Sequence, residues 1–188
     1  MYKKLIPLLS CLLLAFLTAG YSLSGEDKEK KPFRDLIVTT SETHLILFGV
    51  VNSTFTDEMI SAAKSGLPIR FNFQVELYLD QVDEPVVLLD FAHTLTYDTL
   101  KESYEILLEE ANAKTQQART LDEAKMVMNE INGLKLLQLE KLVPGSRYRL
   151  RIRGHLFEKT LPMGIHKVLP FISPWDNETD WQVLEFNY

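Results

Sequence analysis

Residues 69–80 alternate without a break. Ile69, Phe71, Phe73, Val75, Leu77 and Leu79 are apolar, and Arg70, Asn72, Gln74, Glu76, Tyr78 and Asp80 separate them. A period of two is that of a strand, whose side chains point to opposite faces in turn. The segment therefore predicts a long strand with one face in a core and one in water. A hairpin partner follows at 86–97, after the polar loop Asp80-Gln81-Val82-Asp83-Glu84-Pro85.

Further strands are expected at 36–41, 44–51, 104–108, 134–139, 148–158 and 181–188, about eight in all with the first two. Two short helices interrupt them. One spans 57–65, with Asp57 and Glu58 in its first turn, Gly66 at its end and Pro68 beyond. The other spans 121–132. It opens on the capping box Thr120-Leu121-Asp122-Glu123, carries Leu121, Ala124, Val127, Met128 and Ile131 on one face, and is expected to end through a positive φ at Gly133. The polar residues 109–119 read as a mobile loop.

Leu142-Val143-Pro144-Gly145-Ser146-Arg147-Tyr148 is a Pro-Gly turn leading to a tyrosine at a strand start. In immunoglobulin-like sandwiches such a tyrosine closes a corner by bonding backbone. The competing reading is an ordinary turn with an interfacial tyrosine. The expected fold is mainly β: an antiparallel two-sheet immunoglobulin-like sandwich with two short helical insertions.

The first 24 residues differ from the rest. Lys3 and Lys4 precede 19 uncharged residues, 5–23, which as a helix would span about 28 Å. The small residues Thr18, Ala19, Gly20, Ser22 and Ser24 follow the pattern of a cleaved signal peptide, while the length suits an uncleaved inner-membrane anchor. Either reading places residues 33–188 outside the cytoplasm as one domain, behind a charged linker at 25–32. The protein is then periplasmic, and membrane-associated if the segment stays. Cys11, the single cysteine, lies inside the apolar stretch and is followed by more apolar residues, unlike a lipidation site. The remaining domain has no thiol, so neither a disulfide framework nor a cysteine-rich metal site can form.

Charge excludes another class. All 26 acidic residues but only 18 of the 20 Lys and Arg follow residue 24, a balance of −8. Nucleic-acid binding relies on cations to displace counterions, so it is not expected.

Two groups of residues are candidate binding surface. Arg147, Arg149, Arg151 and Arg153 alternate with Tyr148, Leu150 and Ile152, giving a cationic row about 20 Å long on one strand face. Guanidinium forks suit phosphates or carboxylates. The bland alternative is a solvated face paired to neighbours such as Glu76 or Glu185. The second group is Trp175, Asp176, Glu178, Asp180 and Trp181. The spacing of its acids imitates half a calcium loop, but Trp181 stands where that loop needs glycine. Its indoles could stack on a sugar or a partner, or simply anchor the last strand. His44, His93, His155 and His166 lack metal spacing, and His93 reads as a hydrogen-bonded core residue. No nucleophile elbow, phosphate loop or dinucleotide fingerprint occurs. No catalytic residue, metal or cofactor is expected.

Phe55-Thr56-Asp57-Glu58-Met59, Ser65-Gly66-Leu67-Pro68, the alternating strand after them and the block 173–181 together resemble a bacterial family, domain of unknown function 4390. The resemblance runs from about Phe33 to Tyr188. It implies an envelope protein of Gram-negative bacteria, conceivably an accessory to signalling, and carries over no catalytic residue or cofactor. The expected role is a non-enzymatic periplasmic module that binds another envelope protein. Binding of an anionic lipid or glycan is the alternative, and a hydrolase comes third.

Overall fold

A computed structural model describes residues 31–53, 55–155 and 178–188. Nine strands and two α-helices are assigned among them: β1 (Phe33–Thr40), β2 (His44–Val51), α1 (Asp57–Lys64), β3 (Ile69–Leu79), β4 (Val87–Asp98), β5 (Ser103–Leu108), β6 (Lys114–Ala118), α2 (Leu121–Asn129), β7 (Glu130–Gln138), β8 (Arg147–His155) and β9 (Gln182–Asn187). They form two antiparallel sheets. One has three strands in the order β1-β2-β7, the other six in the order β6-β5-β4-β3-β8-β9. Neither closes into a barrel.

The alternating strand is central. β3 pairs with β4 on one side and β8 on the other. Its apolar residues Ile69, Phe71, Phe73, Val75 and Leu77 are all buried, together with Phe91 and Leu95 of β4, Ile106 of β5, and Leu150 and Ile152 of β8. Leu45, Leu47, Ile131 and Leu134 of the small sheet belong to the same core, as do Met59, Ala63, Ala124 and Met128 of the helices. Each large apolar side chain so buried contributes about 1.5–3 kcal/mol relative to exposure. The other face of the large sheet carries the polar phase, whose residues are mostly half-buried or exposed.

Both helices start where their caps dictate. The Thr56 side chain accepts from the Met59 N–H, and the Thr120–Glu123 capping box is closed in both directions. The Tyr148 hydroxyl accepts from the Val143 N–H at 2.8 Å, closing the Pro-Gly turn onto backbone.

Four expectations are corrected. Residues 114–118 are not a loop but the edge strand β6, held by pairing with β5. Helix α2 ends at Asn129 and runs directly into β7, so it is shorter than expected. Gly133 does not terminate it. Leu47 faces Leu134 while Phe48 faces Asn132, which makes Gly133 the extra residue of a β-bulge, with φ 78. The first strand begins at Phe33 rather than Leu36, because a second bulge beside Asp35 (φ 52) interrupts the alternation. The end expected for the strand from Tyr148, beyond His155, lies outside the described residues, as does the whole N-terminal segment 1–30. No helix among the described residues is long and apolar enough to cross a membrane.

Candidate functional site

The solvent face of β4, β3, β8 and β9 collects the candidate residues into rows. Antiparallel register aligns Asp90 with Gln74 and Arg153, Leu88 with Glu76, Arg151 and Val183, and Tyr78 with Arg149 and Glu185. Trp181 stands one residue before β9, level with Arg153. The arginines therefore do share a face, as alternation requires.

Three of them are already engaged by carboxylates. Arg147 pairs with Glu185, Arg151 with Glu76 at 3.6 Å, and Arg153 with Glu178. Arg153 Nε also donates to Gln74 Oε1 at 2.8 Å. Arg149 makes no ion pair among the described residues; its guanidinium lies over the Tyr78 ring, 5.2 Å from the centre. Three arginines of the row thus have carboxylate partners, two of which, Glu76 and Glu185, the sequence suggested.

The aromatic contacts were not legible in advance. Arg151 and Arg153 lie 4.3 and 4.6 Å from the Trp181 ring centre, and Arg151 is 5.9 Å from that of Tyr78. Planar guanidinium stacks on aromatic faces through charge–quadrupole attraction. The result is a lattice in which each cation is fixed by a ring, a carboxylate or both. Tyr78 donates to Glu76 Oε2 at 2.8 Å. That bond first, with burial adding to it, holds the phenol proton above its usual range.

Of the second candidate group, Glu178 binds both Arg153 and His155, the latter at 3.1 Å, and pairs its backbone with His155. Its carboxylate thus contacts Arg153 and the His155 ring. Asp180 is exposed. Trp175 and Asp176 lie outside the described residues. Among the described residues no cluster of three His, Cys, Asp or Glu could hold a metal.

Two clefts flank the lattice. One, of about 420 Å³, lies beside Arg70, Asn72, Gln74, Asp90, Glu109 and His155. Arg70 and Glu109 pair across it at 3.0 Å. The other, of about 290 Å³, lies beside Tyr78, Asp80, Asp83, Arg147 and Arg149. Sequence reasoning missed Tyr78, Asp90, Leu88 and Val183 as members of this surface. Their signal was present, since Tyr78 lies on the polar phase of the alternating strand, but only strand order reveals which rows adjoin.

His93 is where its apolar phase put it. It is fully buried, with Nδ1 2.8 Å from the Met128 carbonyl oxygen and Nε2 2.9 Å from Glu110 Oε1. The Phe73 ring approaches it at 4.9 Å.

Comparison with known families matches residues 30–185 to one described as a domain of unknown function, DUF4390. Comparison with curated proteins and with solved structures gives no match.

Proposed function

We propose that this chain, which belongs to the DUF4390 family, is a non-enzymatic module that docks another envelope protein through the solvent face of β4, β3, β8 and β9. The observation that carries this reading is the Tyr78–Arg149–Arg151–Trp181–Arg153 lattice. Tyr, Trp and Arg are the residues that dominate protein interfaces. Here they are held in place beforehand, so little side-chain entropy remains to be lost on docking. Exposed Leu88 (56%) and Val183 (50%) lie in one row on either side of them and add apolar area. A binding rather than catalytic role is supported by the larger cleft, where Arg70 and Glu109 satisfy each other and His155 is taken by Glu178.

The periplasmic side of the inner membrane is the location this reading takes from the cationic, then apolar, start of the chain. An immunoglobulin-like form of the sandwich is supported by the Tyr148 turn. An anionic lipid or glycan is a weaker partner for this face, since Arg149 is the one arginine of the row that no carboxylate of the described residues neutralises.

A photo-crosslinking residue in place of Val183, in the full chain in cells, tests the reading. One defined envelope protein should be captured, and the capture should be lost with Trp181→Ala or Arg149→Glu. Crosslinking that ignores both substitutions overturns it.

A further inference from the structure

The charge on this face is almost entirely cancelled within the sheet. Arg70, Glu76, Arg147, Arg151, Arg153 and Glu185 all have ion-pair partners. On β3, β4, β8 and β9, two charged side chains of the solvent face have none among the described residues. One is Asp90 on β4, an anion; the other is Arg149 on β8, a cation. Both are exposed.

Their placement is regular. Asp90 lies beside Gln74, and Arg149 beside Tyr78, on opposite flanks of β3. Two strand spacings across and four residues along separate them by about 16 Å. Glu76 stands midway. A two-fold axis lying in the plane of contact over Glu76 exchanges the two positions. A second copy turned about that axis sets its Arg149 on Asp90 and its Asp90 on Arg149. One operation therefore satisfies both unpaired charges, as a self-complementary isologous interface requires. The axis also runs out over β9 at Trp181, bringing the indole near its own copy.

We infer that a second copy of this chain covers the β4-β3-β8-β9 face, joined by two symmetric Asp90–Arg149 pairs. The inference rests on the reading of this face as a protein interface and names its occupant. The charges identify that occupant: any other partner would have to carry both complements at this spacing, whereas the chain itself already does.

Charge reversal tests it, using the full chain in mild detergent and native mass spectrometry across a concentration series. Wild type should form dimers. Asp90→Arg and Arg149→Asp should each weaken association by at least about tenfold, because each places like charges in both symmetric contacts. Mixing the two variants should restore a dimer, since in the mixed pair both contacts again join opposite charges. Circular dichroism melting first establishes that both variants fold. A wild type that stays monomeric throughout, single variants that still dimerise, or a mixture that fails to pair would each overturn the inference. Capture of a different protein by the Val183 crosslinker, alongside a monomeric wild type, would remove this inference and leave the docking reading standing. Loss of both results would remove both.

Discussion

His93 Nδ1 lies 2.8 Å from the carbonyl oxygen of Met128, so a strand residue caps the last turn of a helix. Helix α2 passes into β7 with no intervening loop. Its last carbonyls therefore lack the usual terminating turn. A carbonyl can only accept, so Nδ1 carries the proton of this bond. Nε2 reaches Glu110, whose side chain is 2% exposed and whose second oxygen has no hydrogen-bond partner among the described residues. One imidazole thus serves β4, α2 and Glu110 in the turn after β5.

Replacing His93 with Leu, which is closer to imidazole in volume than Phe is, removes both bonds. The Met128 carbonyl and the Glu110 carboxylate are then buried without partners. A loss of about 3–5 kcal/mol is expected, read from the urea midpoint. A loss below about 1 kcal/mol would show that the bridge is dispensable.

Gly133→Ala should cost about 1–2 kcal/mol through backbone strain at φ 78. Space is not the obstacle, because an added Cβ would meet the Phe48 ring at an ordinary 3.7 Å. Thermal melting of the variant beside Gly66→Ala, also at positive φ but with open space around it, separates strain from crowding.

Tyr148→Phe deletes the hydroxyl that accepts from Val143 while leaving the ring stacked 5.7 Å from Phe186. Stability should fall by about 1 kcal/mol, with the near-ultraviolet signature of the core otherwise retained. No change would mean that the turn holds without this bond.

Asp98 lies at the end of β4. The Lys101 backbone N–H, then the Lys101 side chain and the Leu100 N–H, hold its carboxyl below the ordinary range. A lowered value means that the folded state favours the ionised form. The stabilisation is present above the unfolded-chain value and is lost as pH falls through the folded one. Carboxyl NMR titration should find Asp98 below a free aspartate, and Lys101→Ala should move it only part of the way back, since both backbone N–H donors remain. An Asp98 that titrates like a free aspartate in the wild type would refute the assignment.

The alternation over residues 69–80 located the central strand β3 because burial on one face enforces a period of two. Capping chemistry located both helix starts for the same local reason. What failed depended on distant residues. Lys114-Thr115-Gln116-Gln117-Ala118 has no apolar phase and is a strand because Tyr104–Leu108 offers a free edge. Gly133 has the positive φ that was expected, but a neighbouring strand uses it for a bulge instead of a helix end. At the candidate site, Glu76 and Glu185 were legible as arginine partners. Trp181 against Arg151 and Arg153 was not, since that contact follows from β9 adding beside β8.

The order of the strands also sets a sequence of events. Asp90 and Tyr78 come from the first half of the chain, Arg149 and Trp181 from its final quarter, and they meet only when β8 closes against β3. The β3–β6 meander joins consecutive neighbours, while β8 must return across some seventy residues and carries the larger loop-closure entropy. The proposed docking surface is consequently assembled late. A chain still emerging, or cut before β8, lacks Arg149 and Trp181 and so cannot present the proposed surface.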